Sequence, residues 1–151
     1  MNAQNKIYSK DLGIDLDSGR EEEIFKWFFA CLLFGKPIQQ KVAKMTYLEF
    51  EKEGILNCEK ILKAGWDRLV EILDRGHYVR YDFSTAAKLL DICKELKEKY
   101  GSLTALIKKA KNKRELARML QEFKGIGPVT VRIFLRDLIK YWKDSEYDEI
   151  K

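Results

Sequence analysis

Cysteine is scarce in this chain, and its few copies are poorly placed for cross-linking. Cys31, Cys58 and Cys93 are odd in number, widely spaced and embedded in segments of apolar periodicity. This distribution favours buried, reduced thiols over disulfides or a metal cluster. We therefore expect a fold that is stabilised by its hydrophobic core and not by disulfide bonds.

Long apolar runs are also missing. No run reaches the roughly 20 residues that a membrane-spanning helix requires, and the N-terminus lacks the basic-then-apolar layout of a signal peptide. We expect a soluble, intracellular protein of the cytoplasm or nucleoid that has no membrane partner.

The chain shows no alternating strand pattern, repeat, low-complexity stretch or internal linker. Its 151 residues, 46% of them hydrophobic, suffice for one globular domain with a substantial core. We predict an all-α fold with a polar, partly ordered lead-in over residues 1–20, a compact multi-helix domain over 21–143 and an acidic tail over 144–151.

Helix boundaries follow from caps and terminators. Three glutamates from Glu21 open a strongly apolar segment, 24–34, which Gly35 and Pro37 end. This segment is hydrophobic nearly all round, which predicts the central buried helix. The remaining predicted helices are 39–53, closed by Gly54; two shorter pieces around Cys58 and over 66–75; 85–100, capped by Ser84; a helix to about residue 110, capped by Ser102; and one that follows Asn112.

Charge is unevenly distributed along the chain. Residues 1–83 hold 13 basic and 14 acidic side chains, residues 84–143 hold 15 and 6, and residues 144–151 hold 1 and 4. A basic block between mildly acidic ends is the pattern expected for a phosphate-backbone partner. A solvated face rich in lysine is the alternative, above all for the four lysines between 108 and 113.

The segment FKGIGPVTVRIFLRDL, residues 123–138, carries most of the functional signal. Gly125 and Gly127 permit a tight turn that brings the backbone against another molecule, and Pro128 suits the first turn of a new helix. Apolar residues recur at helical spacing on both sides of the turn: Leu116, Met119, Leu120 and Phe123 before it, and Val131, Phe134, Leu135 and Leu138 after it.

A helix start leaves unpaired N–H groups with a partial positive charge, where anions collect. The predicted phosphate donors are the backbone N–H groups of Gly125, Gly127 and Val129 together with the hydroxyl of Thr130. Three further side chains could add charge at the rim, although both arginines equally suit a solvent-facing position: Lys124, Arg132 and Arg136. The alternative is an ordinary corner between two helices.

The order helix, hydrophobic-x-Gly-Ile-Gly-Pro-x-Thr, then apolar helix with basic residues resembles the helix-hairpin-helix motif of the DNA glycosylase superfamily typified by endonuclease III. The motif spans residues 112–142, and the likeness covers about 20–142, with the chain truncated after the motif. The resemblance implies a partner in DNA, duplex in form, and a setting in base excision repair. Larger members of the family often carry a four-cysteine iron–sulfur cluster beyond this motif, and nothing like it exists in this chain, so we expect no cluster and no required cofactor. The resemblance also suggests a monovalent cation on the backbone carbonyls of Phe123 and Ile126.

The resemblance also assigns roles to two loops. Lys36, in the turn after the buried helix, takes the place of the polar side chain that plugs the gap left by a flipped-out base. Gly76, His77 and Tyr78 match a second loop, with His77 as a wedge and Tyr78 as its packing neighbour. An exposed loop residue without a role is the alternative for His77. The full set of predicted DNA contacts is Lys36, His77, Lys124, Gly125, Ile126, Gly127, Val129, Thr130 and Arg132.

Catalysis is the least certain implication of the family pattern. Bifunctional members place a nucleophilic lysine where this chain has Val129, so a Schiff-base lyase is not expected at that position. Monofunctional members use an aspartate beyond the motif, for which Asp148 and Asp144 are the candidates, although the acidic end equally suits a solvated terminus. The alternatives to a monofunctional N-glycosylase are a non-enzymatic DNA-binding protein and a helical protein-interaction module.

Overall fold

The structure is a computed structural model, and it describes residues 6–138. That range contains helices and turns and no β-strand, so the predicted all-α class is confirmed. Its seven α-helices are α1 (Glu21–Phe34), α2 (Gln40–Glu53), α3 (Cys58–Arg75), α4 (Asp82–Lys99), α5 (Leu103–Lys109), α6 (Lys113–Gln121) and α7 (Pro128–Leu138).

Helix α1 is the centre of the domain, as its all-round hydrophobicity predicts. It packs against α2, α5 and α7. The ring of Phe29 lies 4.8 Å from that of Phe50 on α2, and the indole N–H of Trp27 donates to the carbonyl of Phe134 on α7 at 3.2 Å. The buried indole thus gains both apolar contact and a hydrogen-bond partner.

Most predicted caps and breaks are confirmed. Ser102 and Asn112 accept the backbone N–H groups of Ala105 and Glu115, respectively. Gly65, with a φ of 82°, breaks α3 into the two predicted pieces. The prediction for Ser84 is wrong, because the short 3-10 turn Val79–Tyr81 runs directly into α4 and the helix begins two residues earlier, at Asp82.

The lead-in contributes to the core. Leu12, Ile14 and Leu16 are buried, and the backbone N–H of Ser9 donates to Oδ2 of Asp137 on α7 at 2.7 Å. Residues 6–20 therefore pack with the helical domain.

The thiols and the membrane expectation can be compared with the structure directly. Cys31 and Cys93 are buried, as predicted, whereas Cys58 is only half-buried; all three thiols are free. Among the described helices, none combines the length and apolarity needed to cross a membrane.

Candidate nucleic-acid interface

The α6–α7 loop, residues 122–127, is attached to the core by buried side chains and has an exposed backbone. Phe123 and Ile126 are buried, and the N–H of Ile126 donates to the carbonyl of Phe123 at 3.1 Å. Gly125 has a φ of 96°, which favours glycine, and is exposed. The apolar side chains thus fix the loop to the core while its glycine backbone faces outward.

The start of α7 presents unpaired donors. The first backbone hydrogen bond of the helix runs from the N–H of Val131 to the carbonyl of Gly127 at 3.2 Å. Within residues 6–138, no acceptor pairs with the N–H groups of Gly125, Gly127, Val129 or Thr130. A Cβ atom on Gly127 would meet nothing within 4 Å, so the space beside this residue is open. This is the geometry of an anion site at a helix start.

The side chain of Thr130 points elsewhere. It is 4% exposed, and a Cβ atom on Gly35 would overlap its Oγ1 atom. The hydroxyl, which the sequence predicts as a phosphate donor, is instead packed against the α1–α2 turn. Thr130 can contribute its backbone N–H to an anion, while its side chain joins α7 to the end of α1.

The α1–α2 turn carries the predicted plug residue, Lys36. Its Nζ atom lies 5.2 Å from the centre of the Tyr81 ring, within the range of a cation–π contact. The hydroxyl of the fully buried Tyr78 donates to the carbonyl of Leu33 at 2.5 Å, as suits its predicted packing role. The loop before α4 and the turn after α1 are therefore joined at two points.

His77 lies on an unusual backbone. It has a φ of 71° and is exposed, in the left-handed region that side chains other than glycine seldom occupy. A Cβ atom on the preceding Gly76 would lie 2.6 Å from the Cα atom of Thr46, so the chain passes very close to α2 before it turns outward. The turn places His77 at the surface, as either reading of this residue requires.

These contacts bring separate predicted pieces together. Gly35 contacts Thr130, Lys36 contacts Tyr81, and Tyr78 bonds to Leu33. The start of α7, the α1–α2 turn and the loop before α4, which are far apart in the sequence, all meet at the C-terminal end of α1.

One residue of this region was missed by the sequence analysis. Lys88 on α4 is half-buried, and a Cβ atom on Gly125 would lie 2.6 Å from its Cδ atom. Burial, together with the nearby charge of Lys36, lowers the pKa of Lys88 to about 8. No signal in the sequence distinguishes Lys88 from its neighbours on α4, because its environment is created by the α6–α7 loop.

A basic groove lies beside α7 and was also missed. Its cavity volume is about 1020 Å³, and among the described residues its lining contains five cationic side chains and no acidic one. The basic lining residues are Lys6, Lys41, Lys44, Arg132 and Arg136.

The two arginines of this groove differ. Arg132 is exposed and has no ion-pair partner in the described residues. The guanidinium carbon of Arg136 lies 4.1 Å from the centre of the Tyr8 ring, and its Nη2 atom donates to the carbonyl of Ile7 at 2.8 Å. Arg136 therefore also contacts the N-terminal segment.

The remaining predicted sites receive only partial information. Asp144 and Asp148, as well as residues 139–142 of the motif, lie outside the described residues. Of the proposed cation ligands, the carbonyl of Phe123 already accepts a hydrogen bond from Ile126. Within residues 6–138, no cluster of three or more His, Cys, Asp or Glu side chains is placed to hold a metal ion.

No protein-family model, curated protein or solved structure matches this chain. Functional conclusions therefore rest on the residues and the geometry given above.

Proposed function

We propose that this protein binds duplex DNA through the α6–α7 loop and the start of α7, as a member of the helix-hairpin-helix DNA glycosylase superfamily that acts in base excision repair. The observation that carries the proposal is the set of N–H groups without an acceptor on Gly125, Gly127, Val129 and Thr130, with open space beside Gly127. A DNA phosphate supplies the acceptors that these donors lack.

The electrostatic surroundings support the same ligand. Lys36, Lys88 and Arg132 surround the loop and the start of α7 without a carboxylate partner in the described residues. The basic groove continues along α7 from Arg132. Unpaired cations of this kind release counterions from DNA and give an affinity that falls steeply with salt.

The two flanking loops support recognition of a base outside the stack. Lys36 lies at the turn next to the phosphate loop, and His77 is held outward by its backbone. Extrusion of a base costs a few kcal/mol, and side chains that fill the vacated space offset part of that cost. Lys36 as a plug and His77 as a wedge are the roles proposed for them.

Hydrolysis of the N-glycosidic bond is the finer proposal, and it needs a carboxylate. Asp137 of α7 is already engaged, since its Oδ1 atom pairs with Arg136 at 2.9 Å and its Oδ2 atom accepts from Ser9 at 2.7 Å. Asp148 and Asp144 are the proposed catalytic residues of a monofunctional glycosylase. A DNA-binding protein without activity is the alternative if neither acts.

A protein-interaction module is a separate candidate with one observation in its favour. The rings of Trp66 and Phe83 lie 4.9 Å apart and are 38% and 61% exposed, and Val79 is 58% exposed. Exposed aromatic pairs are common at protein interfaces. This surface does not use the unpaired N–H groups of the α6–α7 loop, which DNA binding explains.

Fluorescence-anisotropy titration tests the proposal, with an undamaged duplex and a duplex carrying an abasic-site analogue, each at two salt concentrations. We expect salt-sensitive binding that favours the abasic analogue. Equal salt-sensitive binding to both duplexes would favour the inactive DNA-binding protein, and no binding at low salt would refute the proposal and favour the interaction module.

Gly127→Val tests the loop itself. The φ angle of Gly127 does not lie in the left-handed region, and a side chain at this position would meet open space, so the variant should fold normally. The added bulk stands where a phosphate would approach, and we expect a loss of affinity of about tenfold or more, with Gly127→Ala in between. Circular dichroism and thermal melting control for the fold, and unchanged affinity in a folded Gly127→Val protein would exclude the loop as the contact.

A further inference from the structure

The α6–α7 loop packs against Lys88, a lysine that makes no ion pair in the described part of the chain. The aliphatic stem of Lys88 fills the space beside Gly125, where a Cβ atom would lie 2.6 Å from Cδ and 2.9 Å from Cγ. No carboxylate pairs with this lysine in the described part of the chain. The stem of Lys88 thus lies against the α6–α7 loop, and its amine lacks the partner that a half-buried cation normally has.

The geometry points to Lys88 as a phosphate-binding residue of the loop, which takes up a proton when the anion binds. This inference rests on the proposed function and adds to it a residue and a linked protonation. The ligand class is a phosphate ester, and the backbone phosphodiester of DNA is the source that the loop and the groove favour.

The charged groups near Lys88 are cationic and do not neutralise its charge. From the α1–α2 turn, Lys36 adds a positive charge, and Lys124 is the neighbour of Gly125 in the loop. On its own helix, Asp91 forms no ion pair with it. Burial and a like charge both disfavour the ammonium form, which lowers the pKa of Lys88 to about 8. A phosphate in front of the loop offsets both effects, because it supplies a negative charge and hydrogen-bond acceptors.

The linkage has a definite size. If the bound anion returns the pKa of Lys88 from about 8 to its ordinary value of 10.5, the free protein gives up a proton at lower pH than the complex does. The affinity for DNA then falls by about tenfold between pH 7 and pH 9, and binding at pH 8 takes up about half a proton. DNA phosphodiesters do not titrate in this range.

Lys88→Arg isolates the contribution of Lys88 protonation to DNA binding. Arginine keeps the positive charge at all pH values used, so the variant should bind DNA at pH 7 and lose the tenfold decline towards pH 9. Lys94→Arg is the matched control, since Lys94 is an exposed lysine on the same helix and should leave the wild-type pH profile unchanged. The terminal α-amino group also titrates near pH 8, but it is present in every variant and cancels in the comparison.

Anisotropy titrations at pH 7, 8 and 9 at constant ionic strength measure the profile, and calorimetry in buffers of different ionisation enthalpy counts the protons taken up. A decline in wild type and Lys94→Arg that is absent in Lys88→Arg supports the inference. Equal profiles in all three proteins would overturn it while the DNA-binding proposal stands.

A second measurement applies even if DNA does not bind. The Cε resonance of Lys88, in protein with selectively labelled lysine, reports its titration with and without inorganic phosphate, and Lys88→Arg assigns the signal. A titration midpoint that moves upward with phosphate supports the anion site for a free phosphate, although DNA binding would have failed. A midpoint that phosphate leaves unchanged, in protein that does not bind DNA, would overturn the inference.

Discussion

Two charged surfaces of this domain differ in what holds their side chains. Between α2 and α3, Glu53 contacts Arg68 at 2.5 Å and Arg75 at 2.7 Å, and hydrogen bonding lowers the pKa of Glu53 and raises the pKa of Arg75. Around the α6–α7 loop, Lys36 and Arg132 have no such partner in the described residues. Charges that satisfy one another tie helices together, whereas unpaired charges of one sign are available to a ligand.

The largest expected effect comes from removing charge in the basic groove. Simultaneous replacement of Lys41, Lys44 and Arg132 by alanine should lower DNA affinity roughly a hundredfold near physiological salt and reduce the salt slope by about 2–3. Anisotropy titrations across a salt series measure both values. Since these side chains have no partner in the described residues, the melting temperature should hardly change; an unchanged salt slope would show that the groove does not contact DNA.

Gly125→Ala should damage the unpaired surface through the backbone. Its φ of 96° strains any residue with a side chain, at a cost of roughly 1–2 kcal/mol, and the new methyl group would press on Lys88. Chemical denaturation measures the loss of unfolding free energy. Gly127→Ala, two residues away in open space, is the matched control and should lose much less stability; equal losses would contradict the different environments of the two glycines.

Arg75→Ala should do the reverse of the groove variant. Its guanidinium reaches Glu49, Glu53 and Glu71 at 2.7–3.6 Å, so the change removes three ion pairs. It should lower stability only slightly, because Lys52 or Arg68 still pairs with each of these glutamates. Thermal melts at low and high salt measure the effect, which should shrink as salt rises. DNA affinity should stay the same, and a marked loss of binding would place this surface in the interface.

The smallest effect concerns two acidic groups. A hydrogen bond between the side chains of Asp74 and Asp82 raises the pKa of Asp74. Because the folded-state pKa is raised, the stabilisation is fully present below the ordinary pKa of aspartate and is lost as the pH rises through the raised value. Asp74→Asn should therefore raise the melting temperature slightly at pH 7 and flatten its pH dependence in mild acid, whereas an unchanged pH profile would exclude the shared hydrogen bond.

The helices were predictable from the sequence because their signals are local. Glu21 and Gly35 delimit α1, and Asn112 caps α6, through contacts within a few residues. The prediction for Ser84 failed because it used local signals alone. The 3-10 turn before α4 depends on packing between distant parts of the chain, since Tyr78 bonds to Leu33, 45 residues away. A capping residue indicates a helix start only when nothing upstream extends the helix.

The candidate site was predictable in its backbone and less so in its side chains. The Gly-Ile-Gly-Pro order predicted a turn with open donors, and the structure places Gly127 in open space. The orientation of Thr130, the environment of Lys88 and the anchoring of Arg136 all depend on elements distant in the chain. Periodicity along one helix contains no information about such contacts.

The missing side chain of Gly35 sets a fixed spacing between α1 and α7. Because any Cβ atom there would overlap Thr130, the two helices are as close as two backbones with a threonine between them allow. The α1–α2 turn and the start of α7 are therefore in direct contact, with no room for a side chain at residue 35. A ligand at the start of α7 should therefore meet a surface that is already formed, which lowers the reorganisation cost of binding.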